Sequence, residues 1–351
     1  MFDKLLTLVK EKSASDLHLC EGCRPFLRVH GEIAEQKDQD IFNRENAVEF
    51  VKNFVPKELS GYLAKKRDVD FSFTHNNELR FRAHVYHAQH KLNFALRLLP
   101  LEIPNTKILA IPANLLQYVM AQTEGLFIVT GPTGSGKSTT IASLIDNLNQ
   151  EKYLHIITIE DPIEYLFRNK KSFVKQREVG KDDGDIKSFA RALRSVLRED
   201  PDVIFVGEMR DQETIRLALR AAETGHLVFS TLHTAYASQI PLRIVDAFPA
   251  SEQEQIKNQL AYVLRGAIAQ RLIPRKDGTG RVAAFEVLAT NAAVRNLIKE
   301  GKLQAIRDVM KTSKNADVFR HGIFKPTSPE TPEMMLLEES IDKLRAQGVI
   351  D

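Results

Sequence analysis

The sequence contains no tryptophan, and only two of its 351 residues are cysteines. Cys20 and Cys23 have C-x-x-C spacing, but a structural zinc site needs four ligands, and the only other donors nearby are His18 and His30. A redox dithiol normally begins a helix after a strand, which is not the pattern here. We therefore interpret the pair as incidental residues of a strand–turn–strand segment, and metal binding and redox chemistry remain alternatives.

Long apolar runs are also missing. No stretch approaches eighteen consecutive apolar residues, so we expect no membrane-spanning helix. The opening "MFDKLLTLVKEKSASD" lacks the basic start, apolar core and small-residue cleavage site of a signal peptide, and its pattern predicts an amphipathic helix. We therefore expect the chain to stay in the cytoplasm.

An excess of one charge is absent as well. The 49 basic and 46 acidic residues leave a net charge of +3. Because the charge is balanced and no stripe alternates aromatic with basic residues, we expect no nucleic-acid partner. The hydrophobic share of 43% is typical of a globular protein, and the length favours two domains.

Residues 1–100 predict a small α+β domain with an antiparallel sheet. A helix opens the segment, "PFLRVHGEI" predicts a hairpin turning at His30-Gly31, and helical patterns occupy 43–65. Strands with period-two alternation or short apolar runs are predicted at "DLHLC", "DVDFSFT", "LRFRAHVYHA" and "KLNFALRLLP". Prolines then punctuate 101–112, which we predict to be the linker between domains.

Residues 113–351 predict an α/β domain with a parallel-rich sheet, because strand and helix patterns alternate. The predicted strands are "GLFIVT", "LHIITIE", "DVIFVGE" and "HLVFSTLHT". After residue 250 we expect a mainly helical chain. The polar, proline-bearing residues 311–333 predict a loop before a last short helix.

The segment "GPTGSGKST" matches the phosphate-binding pattern G-x-x-x-x-G-K-[ST], with a strand before it and a helix after it. Its glycines allow unusual backbone angles, and the N–H groups of the helix N-terminus attract anions. We predict that Lys137 binds the β- and γ-phosphates of ATP and that Ser138 binds Mg²⁺. The predicted nucleotide-binding residues are Gly131, Pro132, Thr133, Gly134, Ser135, Gly136, Lys137, Ser138 and Thr139.

Acidic and histidine side chains end other predicted strands, where ligands of α/β sheets collect. Glu208 follows "DVIFV", and Glu160, Asp161 and Glu164 belong to "ITIEDPIEY". His233 of "STLHT" is a candidate either to sense the γ-phosphate or to couple it to the sheet. Surface carboxylates and a structural histidine without a catalytic role are the alternatives.

These segments together resemble a known family. "GPTGSGKSTT", "ITIEDPIEY", the stretch from "LREDPDVIFVGEMRD" to "STLHT", and "RIVDAFP" resemble, in order, the conserved boxes of secretion-superfamily ATPases from type II secretion and type IV pili. "SASDLHL" and "LRVHGEI" resemble the family's amino-terminal domain. "AVRNLIKEGKLQAI" is similar to a segment of the pilus retraction ATPases, whereas "TAYASQIPLRIVD" departs from the family pattern.

The resemblance implies a RecA-like P-loop domain, a smaller PAS-like amino-terminal domain and a hexameric ring that binds nucleotide between subunits. It makes Arg82 and Arg97 candidate arginine fingers, since an arginine fork suits phosphate oxygens, although solvated strand-face arginines are the alternative. It also implies a motor for pilus retraction at the cytoplasmic face of the inner membrane, with a pilus platform protein as partner. Pilus extension or type II secretion assembly is the alternative function.

The resemblance also suggests a role for each acidic residue. Glu164 is our first choice, and Glu160 the second, to position or deprotonate the attacking water. Glu208 would act on Mg²⁺ through water, because its side chain is longer than that of aspartate. Gly207 would let the strand end lie close to the P-loop.

Overall fold

The computed structural model describes residues 2–29, 31–65, 68–180, 185–312 and 334–351. They form two compact units. Unit 1 comprises the described parts of Met1–Glu102, Asp161–Leu166 and Glu178–Lys187, and unit 2 those of Ile103–Glu160, Phe167–Arg177 and Ser188–Asp351. Two short segments of the predicted second domain, 113–351, therefore belong to unit 1. Within the ranges given above, no helix is long and apolar enough to cross a membrane.

Unit 1 is built on one six-stranded sheet. Its helices are α1 (Phe2–Glu11), α2 (Arg44–Phe54) and α3 (Lys57–Ala64), and its strands are β1 (Asp16–Cys20), β2 (Phe26–Val29), β3 (Glu32–Glu35), β4 (Val69–His75), β5 (Leu79–Ala88) and β6 (Lys91–Leu99). The strand order is β3-β2-β1-β6-β5-β4, and every neighbouring pair is antiparallel. The predicted α+β class and hairpin are confirmed, while the turn residue His30 lies outside the described residues.

The period-two pattern separates the two faces of this sheet. In β5, Phe81, Ala83 and Val85 are fully buried, whereas Arg82 between them is exposed. The buried face packs against an aromatic cluster in which Phe2 and Phe50 meet edge to face, with ring centroids 5.4 Å apart. Burial of each such side chain contributes about 1.5–3 kcal/mol. The opposite face of β5 carries Arg80 and Arg82, of which only Arg82 is exposed.

Unit 2 contains the second sheet. Its helices are α4 (Ala113–Ala121), α5 (Lys137–Glu151), α6 (Phe189–Val196), α7 (Gln212–Glu223), α8 (Ile240–Val245), α9 (Ala250–Val263), α10 (Ala292–Lys299), α11 (Ile306–Thr312) and α12 (Leu337–Ala346). Its strands are β7 (Gly125–Thr130), β8 (His155–Glu160), β9 (Phe173–Glu178), β10 (Val203–Val206), β11 (Leu227–Thr231), β12 (Leu264–Pro274) and β13 (Arg281–Ala289). The order is β13-β12-β7-β11-β10-β8-β9, so the predicted α/β sheet is confirmed.

The expectation of a mainly helical chain after residue 250 is wrong. Strands β12 and β13 form a long antiparallel hairpin, and β12 also pairs in parallel with β7. Both strands contain continuous runs of buried residues. Apolar and polar residues do not alternate in such runs, so the sequence pattern cannot distinguish them from a buried helix. The edge strand β9 escaped prediction because Val174 is its single buried residue. Of the predicted loop at 311–333, the first two residues end α11, and 313–333 lie outside the described residues.

The parallel register brings several strand ends to one edge of this sheet. Val129 of β7 lies opposite Thr231 of β11, and Val206 of β10 lies opposite both Ser230 of β11 and Ile159 of β8. Because ligands of open α/β sheets bind at the carboxyl ends of strands, this edge is where a site is expected. The P-loop and the residues that follow β8, β10 and β11 all begin there.

Candidate active site

The P-loop joins β7 to the N-terminus of α5. Gly131 has φ +144° and Gly136 has φ +87°, angles that L side chains rarely adopt. Gly136 is the N-cap of α5 and makes no side-chain capping bond, so the first N–H groups of the helix face the loop. A Cβ on Gly131 would overlap the backbone carbonyl oxygen of Gln270. Glycine is therefore required at both ends of the loop.

The loop side chains fit a polyphosphate. The ammonium of Lys137, a residue only 9% exposed, donates to the carbonyl oxygens of Gly131 at 2.9 Å and Pro132 at 3.1 Å. The hydroxyl of Ser135 is buried and has no hydrogen-bond partner among the described residues, which costs about 1–3 kcal/mol. Ser138 lies half-buried in the first turn of α5. A cation, a helix N-terminus and an unpartnered hydroxyl thus converge where phosphate oxygens are expected.

Glu208 and His233 lie close together beyond the ends of β10 and β11. Oε2 of Glu208 is 2.7 Å from Nε of Arg210 and 3.8 Å from Nε2 of His233. Burial, and next the positive charge of Lys137, lower the pKa of His233 below its ordinary value. The neutral imidazole is therefore favoured at neutral pH. The charges of Lys137 and Glu208 therefore both act on the imidazole of His233.

A pair of threonines joins the P-loop to the histidine segment. The hydroxyl oxygen of Thr130, the last residue of β7, accepts the N–H of Thr234 at 2.7 Å and lies 2.9 Å from both the carbonyl and the hydroxyl oxygen of Thr234. Thr130 precedes Gly131, and Thr234 follows His233. The start of the P-loop is thereby fixed to the segment that bears His233. Sequence patterns missed this link, since a threonine at a strand end is not informative by itself.

Glu160 is engaged within its own unit. Its Oε1 accepts hydrogen bonds from Thr158 Oγ1 at 2.6 Å and Gln176 Nε2 at 3.0 Å, and the residue is 8% exposed. The hypothesis for Gly207 needs correction here. A Cβ on Gly207 would meet the carbonyl oxygen of Ile159 at 3.1 Å and Cα of Glu160 at 3.5 Å. The N–H of Gly207 also donates to that carbonyl at 2.8 Å, so glycine permits close approach to the end of β8 instead of the P-loop.

Glu164 belongs to unit 1, in the segment Asp161–Leu166. The backbone just before it is fixed on both sides, because Ile163 accepts a hydrogen bond from Arg80 Nη2 at 3.0 Å and donates one to Glu178 Oε2 at 3.0 Å. Arg80 is 8% exposed. Neither Arg80 nor Glu178 was assigned this role by sequence reasoning, because their partner is a backbone group far away in the chain.

The candidate fingers Arg82 and Arg97 lie directly opposite each other on β5 and β6. Nε of Arg97 is 2.8 Å from Oδ1 of Asp16, whose other oxygen is 3.9 Å from Nε of Arg28. Burial tends to raise the pKa of Asp16, but hydrogen bonds from Ser15 and Arg97 outweigh it and hold that pKa below its ordinary value. Like charges opposite each other are destabilising. The exposed Arg82–Arg97 pair therefore forms a cationic spot that an anion would stabilise.

The sequence predicts a Mg²⁺ ion at this site, held by Ser138 and Glu208. Among the described residues, no three or more His, Cys, Asp or Glu side chains are placed to hold a metal ion. Mg²⁺ does not require such a group, since it usually keeps several waters and binds one or two carboxylates plus substrate phosphates. Cys20 and Cys23 are free thiols, and burial raises the pKa of Cys20.

Comparison with known proteins gives consistent relatives. The family model described as "Type II/IV secretion system protein" matches residues 67–331. The chain is 42% identical over 332 residues to a twitching motility protein of Neisseria gonorrhoeae, covering 93% of this chain and 82% of the relative. It is 42% identical to the type IV pilus retraction ATPase PilT of Pseudomonas aeruginosa, covering 88% of each. A crystal structure of the pilus retraction motor PilT with bound ADP superposes with a TM-score of 0.86 at 47% identity, covering 99% of this chain and 94% of that one.

Proposed function

Since this chain belongs to the type II/IV secretion system protein family, we propose that it is the ATP-hydrolysing motor that powers type IV pilus retraction, and hence twitching motility. The family relationship identifies it as a secretion-superfamily ATPase. The observation that supports a retraction function is the 42% identity to a retraction ATPase along 88% of both chains. The site supports ATP hydrolysis independently of the sequence identity, because Lys137, Glu208 and His233 lie close together beside the P-loop.

The nucleotide is ATP, held by the loop from Gly131 to Thr139. Lys137 exchanges its two loop carbonyls for phosphate oxygens, and the Ser135 hydroxyl gains a partner. Ser138 and Glu208 would hold Mg²⁺, and Glu208 would act on it through water. Bound Mg²⁺ supplies neutralisation of the phosphate charge that develops during transfer.

Glu164 positions or deprotonates the attacking water. It is favoured over Glu160 because Oε1 of Glu160 already accepts bonds from Thr158 and Gln176. The backbone bonds of Ile163 to Arg80 and Glu178 reduce the freedom of the segment that bears Glu164. His233, kept neutral by its lowered pKa, offers an uncharged imidazole to sense the γ-phosphate.

The active form is a homohexameric ring of RecA-like and PAS-like domains. In it, Arg82 and Arg97 of one subunit stabilise the phosphate charge of a neighbour, and hydrolysis drives rigid-body motion between domains. The exposed, like-charged pair supports this role, because its unfavourable repulsion is relieved by a polyphosphate. The ring lies in the cytoplasm against the inner face of the cytoplasmic membrane, binds a pilus platform protein and has no nucleic-acid partner.

Deletion of the gene in its native host tests the direction of force. Retraction predicts excess pili with lost twitching, restored by the wild-type chain but not by Lys137→Ala. Loss of pili, or of secretion, would instead support the alternative of an extension or type II secretion assembly ATPase.

Phosphate release by the purified protein tests the chemistry. Negligible turnover by an assembled ring would favour a nucleotide-gated assembly protein. Strong stimulation by single-stranded DNA would favour a nucleic-acid motor.

A further inference from the structure

Gln270 of β12 lies against the P-loop, although more than a hundred residues separate them in the chain. It is 4% exposed. Its backbone carbonyl oxygen occupies the space that a Cβ on Gly131 would need, at the start of the loop. Its side-chain Nε2 would be 2.9 Å from a Cβ on Gly136, at the end of the loop. One residue therefore contacts both ends of the P-loop.

The carboxamide of Gln270 has a defined orientation. The hydroxyl of Thr140 on α5, a residue 1% exposed, donates to Oε1 of Gln270 at 2.6 Å. Because this hydroxyl engages the carbonyl end, the NH₂ end faces Gly136. The N–H of Thr140 donates to the carbonyl oxygen of Gly136 at 2.9 Å, so Thr140 links the glutamine and the loop.

The chemistry of this arrangement suits an anion site. Nε2 of Gln270 has no hydrogen-bond partner among the described residues, so a donor remains available beside the loop. A glutamate of the same size would replace that NH₂ by a charged oxygen in a buried place, where charge repulsion is poorly screened. A neutral carboxamide that turns its N–H groups toward the loop is therefore compatible with several phosphate charges, whereas a carboxylate at the same position is not.

We propose that Gln270 is a positioning residue of the nucleotide site: Thr140 orients its carboxamide, and the carboxamide in turn holds the P-loop in its phosphate-binding shape and presents N–H groups to it. This proposal rests on the proposed function, because it assumes that the loop binds nucleotide. It assigns to β12 a role in binding that the sequence motifs do not contain.

The test compares variants of the full chain with the wild type. Calorimetry measures the affinity for MgADP, and thermal melts without nucleotide measure stability. Gln270→Glu keeps the Thr140 bond but adds a negative charge, and should weaken MgADP binding by about tenfold or more, equivalent to about 1.4 kcal/mol. Gln270→Met, which keeps the volume but loses the bond, and Thr140→Val should each weaken it by roughly threefold.

A matched control is available in unit 1. Gln36 is also buried, at 8% exposure, and its Oε1 accepts a side-chain hydrogen bond from Lys12 at 2.8 Å. Gln36→Glu should leave the affinity for MgADP unchanged, because Gln36 belongs to unit 1, whereas the P-loop belongs to unit 2. The double variant Thr140→Val/Gln270→Met should bind like Gln270→Met alone, because both changes remove one interaction.

Each outcome decides one question. If Gln270→Glu and Gln270→Met lose affinity equally, or bind MgADP as the wild type does, the positioning role is overturned while the proposed function stands. If the wild type itself does not bind MgADP, the proposed function fails first. If Gln270→Glu does not fold, the Thr140→Val and Gln270→Met pair decides, and additive losses overturn the proposal.

Discussion

The two units carry their functional side chains in opposite ways. In unit 2 the P-loop side chains Ser135 and Lys137 are buried, and the loop is fixed to residues of the same unit through Thr130 and Gln270. In unit 1 Arg82 and Arg97 stand on an exposed sheet face, and a single carboxylate, Asp16, holds one of them. One site is organised within its own fold, and the other offers charge outward.

This difference teaches which residues need a partner. A buried loop whose glycines adopt positive φ angles, and whose hydroxyl has no partner among the described residues, is preorganised to bind a small anion. Of the two opposed arginines, Arg97 is paired with the carboxylate of Asp16, whereas the positive charge of Arg82 beside it would be stabilised by an approaching anion. The contrast supports the proposal that the arginines act at a neighbouring subunit's nucleotide.

Lys137→Ala should have the largest effect, because it removes the buried cation of unit 2. We expect loss of MgADP binding in calorimetry and a fall in turnover of about 10³-fold or more. Lys170→Ala is the control, since that lysine of the same unit pairs with Asp146 at 2.7 Å. Retained ADP affinity in Lys137→Ala would contradict the assignment of the P-loop as the nucleotide site.

Arg82→Ala should follow, with turnover lower by about 10³-fold and nucleotide binding largely kept, because a finger acts on the transition state. Arg97→Ala should cost less, about 10²-fold, since Asp16 already compensates its charge. Lys91→Ala, at the other end of β6, is the control and should keep wild-type turnover.

Rings of mixed subunits test whether Arg82 acts at the nucleotide of a neighbouring subunit. Rings assembled from Arg82→Ala and Lys137→Ala chains should regain part of their phosphate release, because each variant supplies what its neighbour lacks. No recovery in mixed rings of proven composition would mean that the arginine acts within its own chain or not at all.

Glu164→Gln should lower turnover by about 10²-fold while MgADP affinity stays near the wild-type value, as expected for loss of a general base. Glu160→Gln provides the discriminating comparison. The Glu160 carboxylate accepts bonds from Thr158 and Gln176. Glu160→Gln should therefore lower the melting temperature more than Glu164→Gln does, and should lower turnover less. If Glu160→Gln lowered turnover more than Glu164→Gln in steady-state assays, Glu160 would be the residue that acts on the attacking water.

The smallest effect concerns His233 and pH. Its folded-state pKa lies below the ordinary value of 6.5, so the unfolded chain binds the proton more readily. The stability from neutral His233 is therefore constant above about pH 6.5 and is lost as the pH falls below it. Between pH 7.5 and pH 5.5, the melting temperature of the wild type should fall further than that of His233→Gln. An equal fall in the two proteins would refute this prediction.

Much of the fold was predictable, and the misses have physical causes. β5 was found because Phe81, Arg82 and Ala83 alternate between buried and exposed faces. β12 and β13 were missed because their buried runs carry no period. The P-loop was found because its chemistry requires glycine and lysine at set spacing, whereas Gln270 was missed because no local pattern marks a glutamine that packs against a distant loop.

By itself the sequence determined the local requirements: the glycines of the phosphate loop, the order of the acidic and histidine segments, and the alternation that separates the faces of a sheet. Tertiary structure alone decided which distant groups meet, such as Thr130 with Thr234 and Arg80 with Ile163. It also decided that the segment bearing Glu164 belongs to unit 1. The reason is that such contacts depend on strand order and register, which set distances between residues far apart in the chain, while local patterns constrain only neighbours.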